Sequence, residues 1–325
     1  MPSITTHFVF SNDVYEKLNK KEKEHLKNEM VLYNNFAQSH DYLYHYFGNF
    51  KNGKDIRHLG FVGHHQKTQD YLLNIVKDII DKDLKNNGEA IAYLYGSITH
   101  YVLDVNCHPF IFYKTGVYRK KEKWTRKYNG EHSHIEKDID AIFYERRYHK
   151  TYNHCKLNRD IIKNPKFSKE LTDLITDVYK KTYDVDDMGY YYYKSIKCNK
   201  FINTFITNDY LGIKRAIYLV IDKIFGYRAG CLASYSNHIM KPRMDWLNLE
   251  HKEWNHPCYK DVKYNTSFDD LYNKSLTDCL RIIKGVNKVI YEKEDFNTLK
   301  ELIPDTDYAN GLDCSNPLYM NYFEY

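Results

Sequence analysis

Gly88-Glu89-Ala90-Ile91-Ala92-Tyr93-Leu94-Tyr95-Gly96-Ser97-Ile98-Thr99-His100-Tyr101-Val102-Leu103-Asp104-Val105-Asn106-Cys107-His108 is apolar over most of its length and shows no strand-like alternation. Its periodicity predicts a buried helix over 88–107. His100, Asp104 and His108 fall four residues apart, and such positions stack on one helix face roughly 6 Å apart along the axis, close enough to share metal ions. Gly96, one turn before His100, leaves that face uncrowded. Buried imidazole and carboxylate need partners: either a metal or a hydrogen-bonded network that positions helices. Pro109 disfavours helical geometry at the residue before it, so His108 is expected at the helix end, turned toward a different metal from His100.

Working outward, His132 and Glu136 repeat the four-residue spacing at the start of a helix expected over 131–147, overlapped by His134 and Asp138. A histidine four residues ahead of an acid is weak alone: the chain holds four such pairs, where composition predicts about two. His25/Glu29 lies among Lys21, Glu22, Lys23 and Glu24 and reads as a solvated surface. His100/Asp104 lies among apolar residues, and with the second segment it points to a polynuclear zinc site. Imidazoles and carboxylates without thiolates suit a hydrolytic zinc with open positions rather than a closed structural cage.

The 325 residues are 42% hydrophobic, enough for a sizeable core, and the net charge of +5 is mild. Further helices are expected near 12–19, 22–47 with a break, 67–83, 169–182, 209–228 and 267–287, making the class all-α with no linker dividing the chain. Residues 1–150 would carry the metal core, and 151–325 would complete the same domain as a helical elaboration. The stretch Ile217-Tyr218-Leu219-Val220-Ile221 is expected to complete the core and shape one wall of a pocket. Thirteen of the sixteen histidines precede residue 155, which places any metal chemistry in the first half. The seven cysteines are scattered, odd in number and without a CxxC pair, so neither a disulfide framework nor a thiolate zinc site is indicated. Neither a signal peptide nor a membrane span is evident, and a cytoplasmic location is the expectation. The 33 tyrosines, including Tyr190-Tyr191-Tyr192-Tyr193, read as core packing and composition bias ahead of base stacking or lipid contact.

The order of these motifs resembles the zinc-dependent phospholipase C family, whose fold is shared with the S1/P1-type nucleases. Thr6-His7 looks like the family's opening Thr-His, and Ser39-His40-Asp41-Tyr42 resembles its Gly-Pro-Asp segment. Gly63-His64-His65 resembles the next histidine, with the spacing to Tyr71 favouring His64 over His65. His100-Tyr101-Val102-Leu103-Asp104 is similar to the His-Tyr-x-x-Asp signature, and His132-Ser133-His134-Ile135-Glu136 to the later His-x-x-x-Glu helix. The family's Pro-x-His continuation is replaced by Val105-Asn106-Cys107-His108, which brings that histidine two residues closer.

The resemblance, which covers motifs in roughly residues 1–150, implies a phospholipase C/P1 nuclease-like fold and three zinc ions. Asp41, His64, His100 and Asp104 would hold one ion and His108, His132 and Glu136 another. His7, a terminal amine and bridging Asp104 would hold the third, the amine being that of Pro2 after removal of Met1. Activated water would attack phosphorus in line, with Asp41 orienting or deprotonating it. The preferred substrate is a phospholipid or another phosphodiester. A nuclease acting on single-stranded nucleic acid, or a helical binding protein that keeps the fold without the activity, are the competing readings. Between the metal segments, Lys114, Arg119, Lys120, Lys121, Lys123, Arg126 and Lys127 form a basic loop. Such a loop either attracts phosphate backbones or anionic membrane surfaces over a Debye length of about 8–10 Å, or is merely solvated. Trp254-Asn255-His256-Pro257 is a conspicuous loop that would line the pocket.

Overall fold

One helix is buried along most of its length, and others pack around it. The computed structural model describes residues 3–48, 56–225 and 232–324. Helices α1 (Ile4–Lys17), α2 (Lys20–Leu26), α3 (Met30–Phe36), α4 (Ile56–His65) and α5 (Thr68–Asp81) lead to the long α6 (Gly88–Thr115). There follow α7 (Glu131–Tyr148), α8 (Leu157–Asp160), α9 (Lys169–Tyr183), α10 (Met188–Ile202), α11 (Ile213–Phe225), α12 (Phe268–Glu292) and α13 (Thr298–Leu302). The only sheet among the described residues is the antiparallel pair β1 (Trp254–Asn255) and β2 (Lys263–Tyr264). The fold is all-α. No described helix is long and apolar enough to cross a membrane.

Of the 28 residues in α6, 22 are buried, the signature of a helix enclosed by others. Asn87 starts it by accepting a hydrogen bond from the Ala90 amide. It contacts α1, α2, α3, α5, α7, α9 and α12, so elements from both halves of the sequence share one apolar core. Gly96 is where α3 comes closest. A Cβ there would sit 2.5 Å from the Phe36 Cβ and 2.8 Å from the Tyr33 carbonyl. The glycine therefore serves helix–helix approach rather than an uncrowded metal face.

The expectation that α6 ends at His108 is overturned: the helix runs through Pro109 to Thr115. Proline leaves the Val105 carbonyl without its usual amide partner, and Gly311 packs beside that carbonyl. A Cβ at Gly311 would lie 2.9 Å from the Val105 oxygen and 3.3 Å from Pro109 Cγ, and its φ is +70°. Full burial of Phe110 and Ile111 rewards continuation past the proline. His108 consequently stays in helical register with His100 and Asp104.

Helix α1 begins at Ile4 rather than near residue 12. Its start is fixed from a distance: the buried Asp140 of α7 accepts from both the Thr6 amide and the Thr6 hydroxyl at 2.8 Å. The four-tyrosine run belongs to α10, which the periodicity does not reveal. Tyr192 is buried and donates to the Ser39 carbonyl at 2.8 Å, whereas Tyr190 is exposed. Trp254 and His256 do not line the cleft described below: Trp254 is buried against Phe110, and His256 bonds the Asn310 carbonyl at 2.9 Å.

The expected contribution of Ile217–Ile221 to the core is also overturned, because α11 has no buried residue. Its apolar side faces outward, since its polar side is consumed in bonds to the protein.

Replacing Gly96 with valine forces α3 and α6 apart. We expect Gly96→Val to lower unfolding stability by about 2 kcal/mol or more. Urea denaturation checks this, and an unchanged midpoint would contradict the close-approach account.

Candidate metal centre

Four segments converge on the polar face of α6. α1 brings His7, the 3₁₀ turn Ser39–His45 brings Asp41, and the last turn of α4 brings His64. α6 supplies His100, Asp104 and His108, and the first turns of α7 supply His132 and Glu136. Ligand atoms of three groups lie within 4.8 Å of one another: His7, Asp41 and His100; His64, His100 and Asp104; and His108, His132 and Glu136. His100 belongs to two of these groups.

Asp104 sits at the hub. Its Oδ1 lies 3.2 Å from His7 Nε2, and its Oδ2 lies 3.4 Å from His100 Nε2 and 3.8 Å from His64 Nε2. His64 Nε2 is also 3.2 Å from Asp41 Oδ1 and 3.3 Å from His100 Nε2. In the third group, His132 Nε2 and Glu136 Oε1 are 2.8 Å apart.

Backbone carbonyls set two of the rings. His64 Nδ1 meets the Gly60 carbonyl at 2.5 Å, and His108 Nδ1 meets that of Tyr308 at 2.8 Å. Each donated N–H leaves the Nε2 lone pair facing the cluster, the arrangement that orients histidine ligands. His65 turns elsewhere, bonding Asp307 through Nδ1 at 2.7 Å.

These residues fit a cation better than they fit one another. Both ring nitrogens of His7, both oxygens of Asp104, His108 Nε2, His100 Nδ1 and Asp41 Oδ1 are buried without a hydrogen-bond partner. Each such atom costs about 1–3 kcal/mol if nothing else engages it. Burial also lowers His7 to about 4 and raises the Asp104 carboxyl to about 7. It holds His100 and His108 well below the ordinary imidazole range. Neutral imidazoles are the metal-binding form. Burial works to raise Glu136 too, but neighbouring positive charge, His132 included, lowers it to about 2. The donor set, imidazole and carboxylate without thiolate, suits zinc.

The cluster opens on a cleft of about 370 Å³. Asp41, His64, His108, His132 and Glu136 line it, while His7, His100 and Asp104 lie behind them. Asn199, Ile202, Asn203 and Thr207 from α10 and the turn after it, with Ser234 and Tyr235, form another wall. Met1 and Pro2 lie outside the described residues, and Ser3 lines the cleft.

The basic loop after His108 does not line the cleft. Lys114 is buried in an ion pair with Glu324 at 2.6 Å, and Arg119 bonds the Met320 carbonyl.

The sequence profile of zinc-dependent phospholipase C matches residues 6–218. The chain belongs to the zinc-dependent phospholipase C family. No curated protein and no solved structure matches it. The matched span holds every ligand candidate from His7 to Glu136 and extends past the motif region into α11.

Tyr308 lies beyond the matched span of this phospholipase C family member, yet its carbonyl orients His108. Its ring packs 5.2 Å from His64 and 5.6 Å from His100. No local pattern singles it out, because its role depends on the chain returning 200 residues later.

The two adjacent histidines provide a sharp test. His64→Ala should remove at least one zinc per chain, whereas His65→Ala should retain the wild-type content, measured by elemental analysis of purified protein. Equal losses would contradict the assignment.

Proposed function

We propose that the protein is a zinc-dependent phosphodiester hydrolase of the phospholipase C kind. The observation that carries this reading is the set of seven buried atoms of His7, Asp41, His100, Asp104 and His108 that make no hydrogen bond, clustered at and behind an open cleft, in a chain of the zinc-dependent phospholipase C family. His7, Asp41, His64, His100, Asp104, His108, His132 and Glu136 would hold the zinc, and their three groups, two of which share His100, are the support for as many as three ions. Zinc in such a site supplies Lewis acidity, drawing in phosphate oxygens and making an attacking water easier to deprotonate.

The chain's own contribution is position and proton handling. Asp41 lines the cleft with a side chain that is 13% exposed, so it faces both the buried ligands and an incoming water. Burial raises its carboxyl from the ordinary range, which favours accepting a proton. His64 beside it, held by Gly60, restrains Asp41 in that orientation. The polar wall of Asn199, Asn203 and Thr207 offers neutral hydrogen-bonding groups to the part of the substrate that leaves with the phosphate.

Zinc-reconstituted protein should hydrolyse a phospholipid to diacylglycerol and the phosphorylated headgroup, and chelation should abolish the activity. Single-stranded DNA assayed alongside decides the substrate class: cleavage of DNA alone would make the protein a nuclease. Less than one zinc per chain, with no hydrolysis gained on adding zinc, would rule out the enzyme. Asp41→Asn should lower kcat about a hundredfold or more, and unchanged turnover would remove Asp41 from the reaction.

A further inference from the structure

Helix α11 is amphipathic the wrong way round for a helix packed on a protein. Ile213, Ile217, Val220 and Ile224 recur at helical spacing and form one stripe, and they are 60%, 52%, 58% and 69% exposed. The opposite face is polar and bonded to the protein. Lys214 Nζ donates to the Phe205 and Asn208 carbonyls, and Tyr218 donates to that of Ile206. Arg215 donates to the Ala233 carbonyl, and Asp222 accepts from the Leu232 and Ala233 amides. Four side-chain anchors, making six hydrogen bonds, therefore hold the apolar stripe outward.

The stripe continues onto the preceding turn. Phe201 and Phe205 are 55% and 62% exposed, with ring centroids 4.7 Å apart. On the same segment, Ile202, Asn203 and Thr207 line the cleft. The turn Leu232–Tyr235 against which α11 packs supplies Ser234 and Tyr235 to that cleft. An exposed apolar surface this extended marks an interaction site, and this one shares its supporting backbone with the cleft wall.

We infer that α11 and the Phe201–Phe205 turn form a docking surface that seats the protein on an anionic lipid bilayer through the same segment that walls the cleft. The inference rests on the proposed phospholipid substrate for its purpose, though its evidence is the inverted helix. Charge selects the occupant. Besides Lys214 and Arg215, whose side chains are bonded to the protein, the segment between Met188 and Phe225 carries Lys194, Lys197, Lys200 and Lys223, while its two aspartates, Asp209 and Asp222, are taken up by backbone amides. A second copy meeting this face across a twofold axis would bring cations against cations. Anionic headgroups complement them, while the isoleucines and phenylalanines enter the acyl boundary. The docking surface is distinct from the basic loop at residues 114–127.

The test uses full-length, zinc-loaded protein and the double variant Ile217→Gln/Val220→Gln, whose positions lie outside the cleft and the metal cluster. Flotation with phosphatidylcholine vesicles, with and without phosphatidylserine, should show wild-type binding that phosphatidylserine strengthens. The variant should bind at least about tenfold more weakly at an unchanged melting temperature, and Ile217→Leu/Val220→Leu should restore binding. Hydrolysis of a soluble short-chain phospholipid should be equal in all three, while hydrolysis of vesicles should fall with binding. Equal vesicle binding by variant and wild type would overturn the docking surface, as would a wild-type dimer that the variant dissociates. Absence of hydrolysis on either substrate would count against the proposed activity alone, because flotation reads docking independently.

Discussion

The carboxylate of Asp104, fully buried in the middle of α6, is the constraint on which the rest of the molecule depends. Its oxygens face His7, His64 and His100 at 3.2–3.8 Å and accept no conventional hydrogen bond. An ionised carboxylate taken out of water is costly unless paired, and the surrounding imidazoles are themselves driven neutral by burial. Bound cations would resolve both costs together, and in doing so would tie α1, α4 and α7 to α6, adding to folding as well as to any chemistry.

Holding such a cluster open falls to residues far in sequence from those they position. The Tyr308 carbonyl turns His108, Asp307 draws His65 Nδ1 to itself, and Asp140 fixes the start of the helix that carries His7. Each acts through one or two hydrogen bonds at a place where a ring or helix end has two ways to point. Such outer contacts decide which nitrogen faces the metal. The second half of the chain is thus part of the centre even though it supplies no ligand candidate.

This division explains what could be read from the sequence. The i, i+4 spacing of His100, Asp104 and His108 within an apolar stretch is local, and it survives into the structure almost unaltered. The all-α class follows from the same local periodicity. What escaped is non-local. The start of α1 depends on Asp140, and α6 outlasts Pro109 because Phe110 and Ile111 are buried and Gly311 fits beside the freed carbonyl. α4 is a short segment interrupted by two glycines, and α10, with its run of tyrosines, shows no clear periodicity. Ile217–Ile221 misleads for a different reason: hydrophobic spacing reports that a face is apolar, not which way it points.

That ambiguity is the deepest lesson of α11. A helix with an apolar stripe is ordinarily oriented by burying that stripe, and its polar face needs nothing but water. Here the polar face finds better partners in the carbonyls of Phe205, Ile206, Asn208 and Ala233 and the amides of Leu232 and Ala233. Several of those groups belong to turns that leave backbone atoms unpaired, so satisfying them offsets exposure of the isoleucines. The orientation of the helix is therefore fixed by the hydrogen-bonding needs of the turns bordering the cleft. The segment that gives the cleft a polar wall thereby presents, on its reverse, an exposed apolar surface.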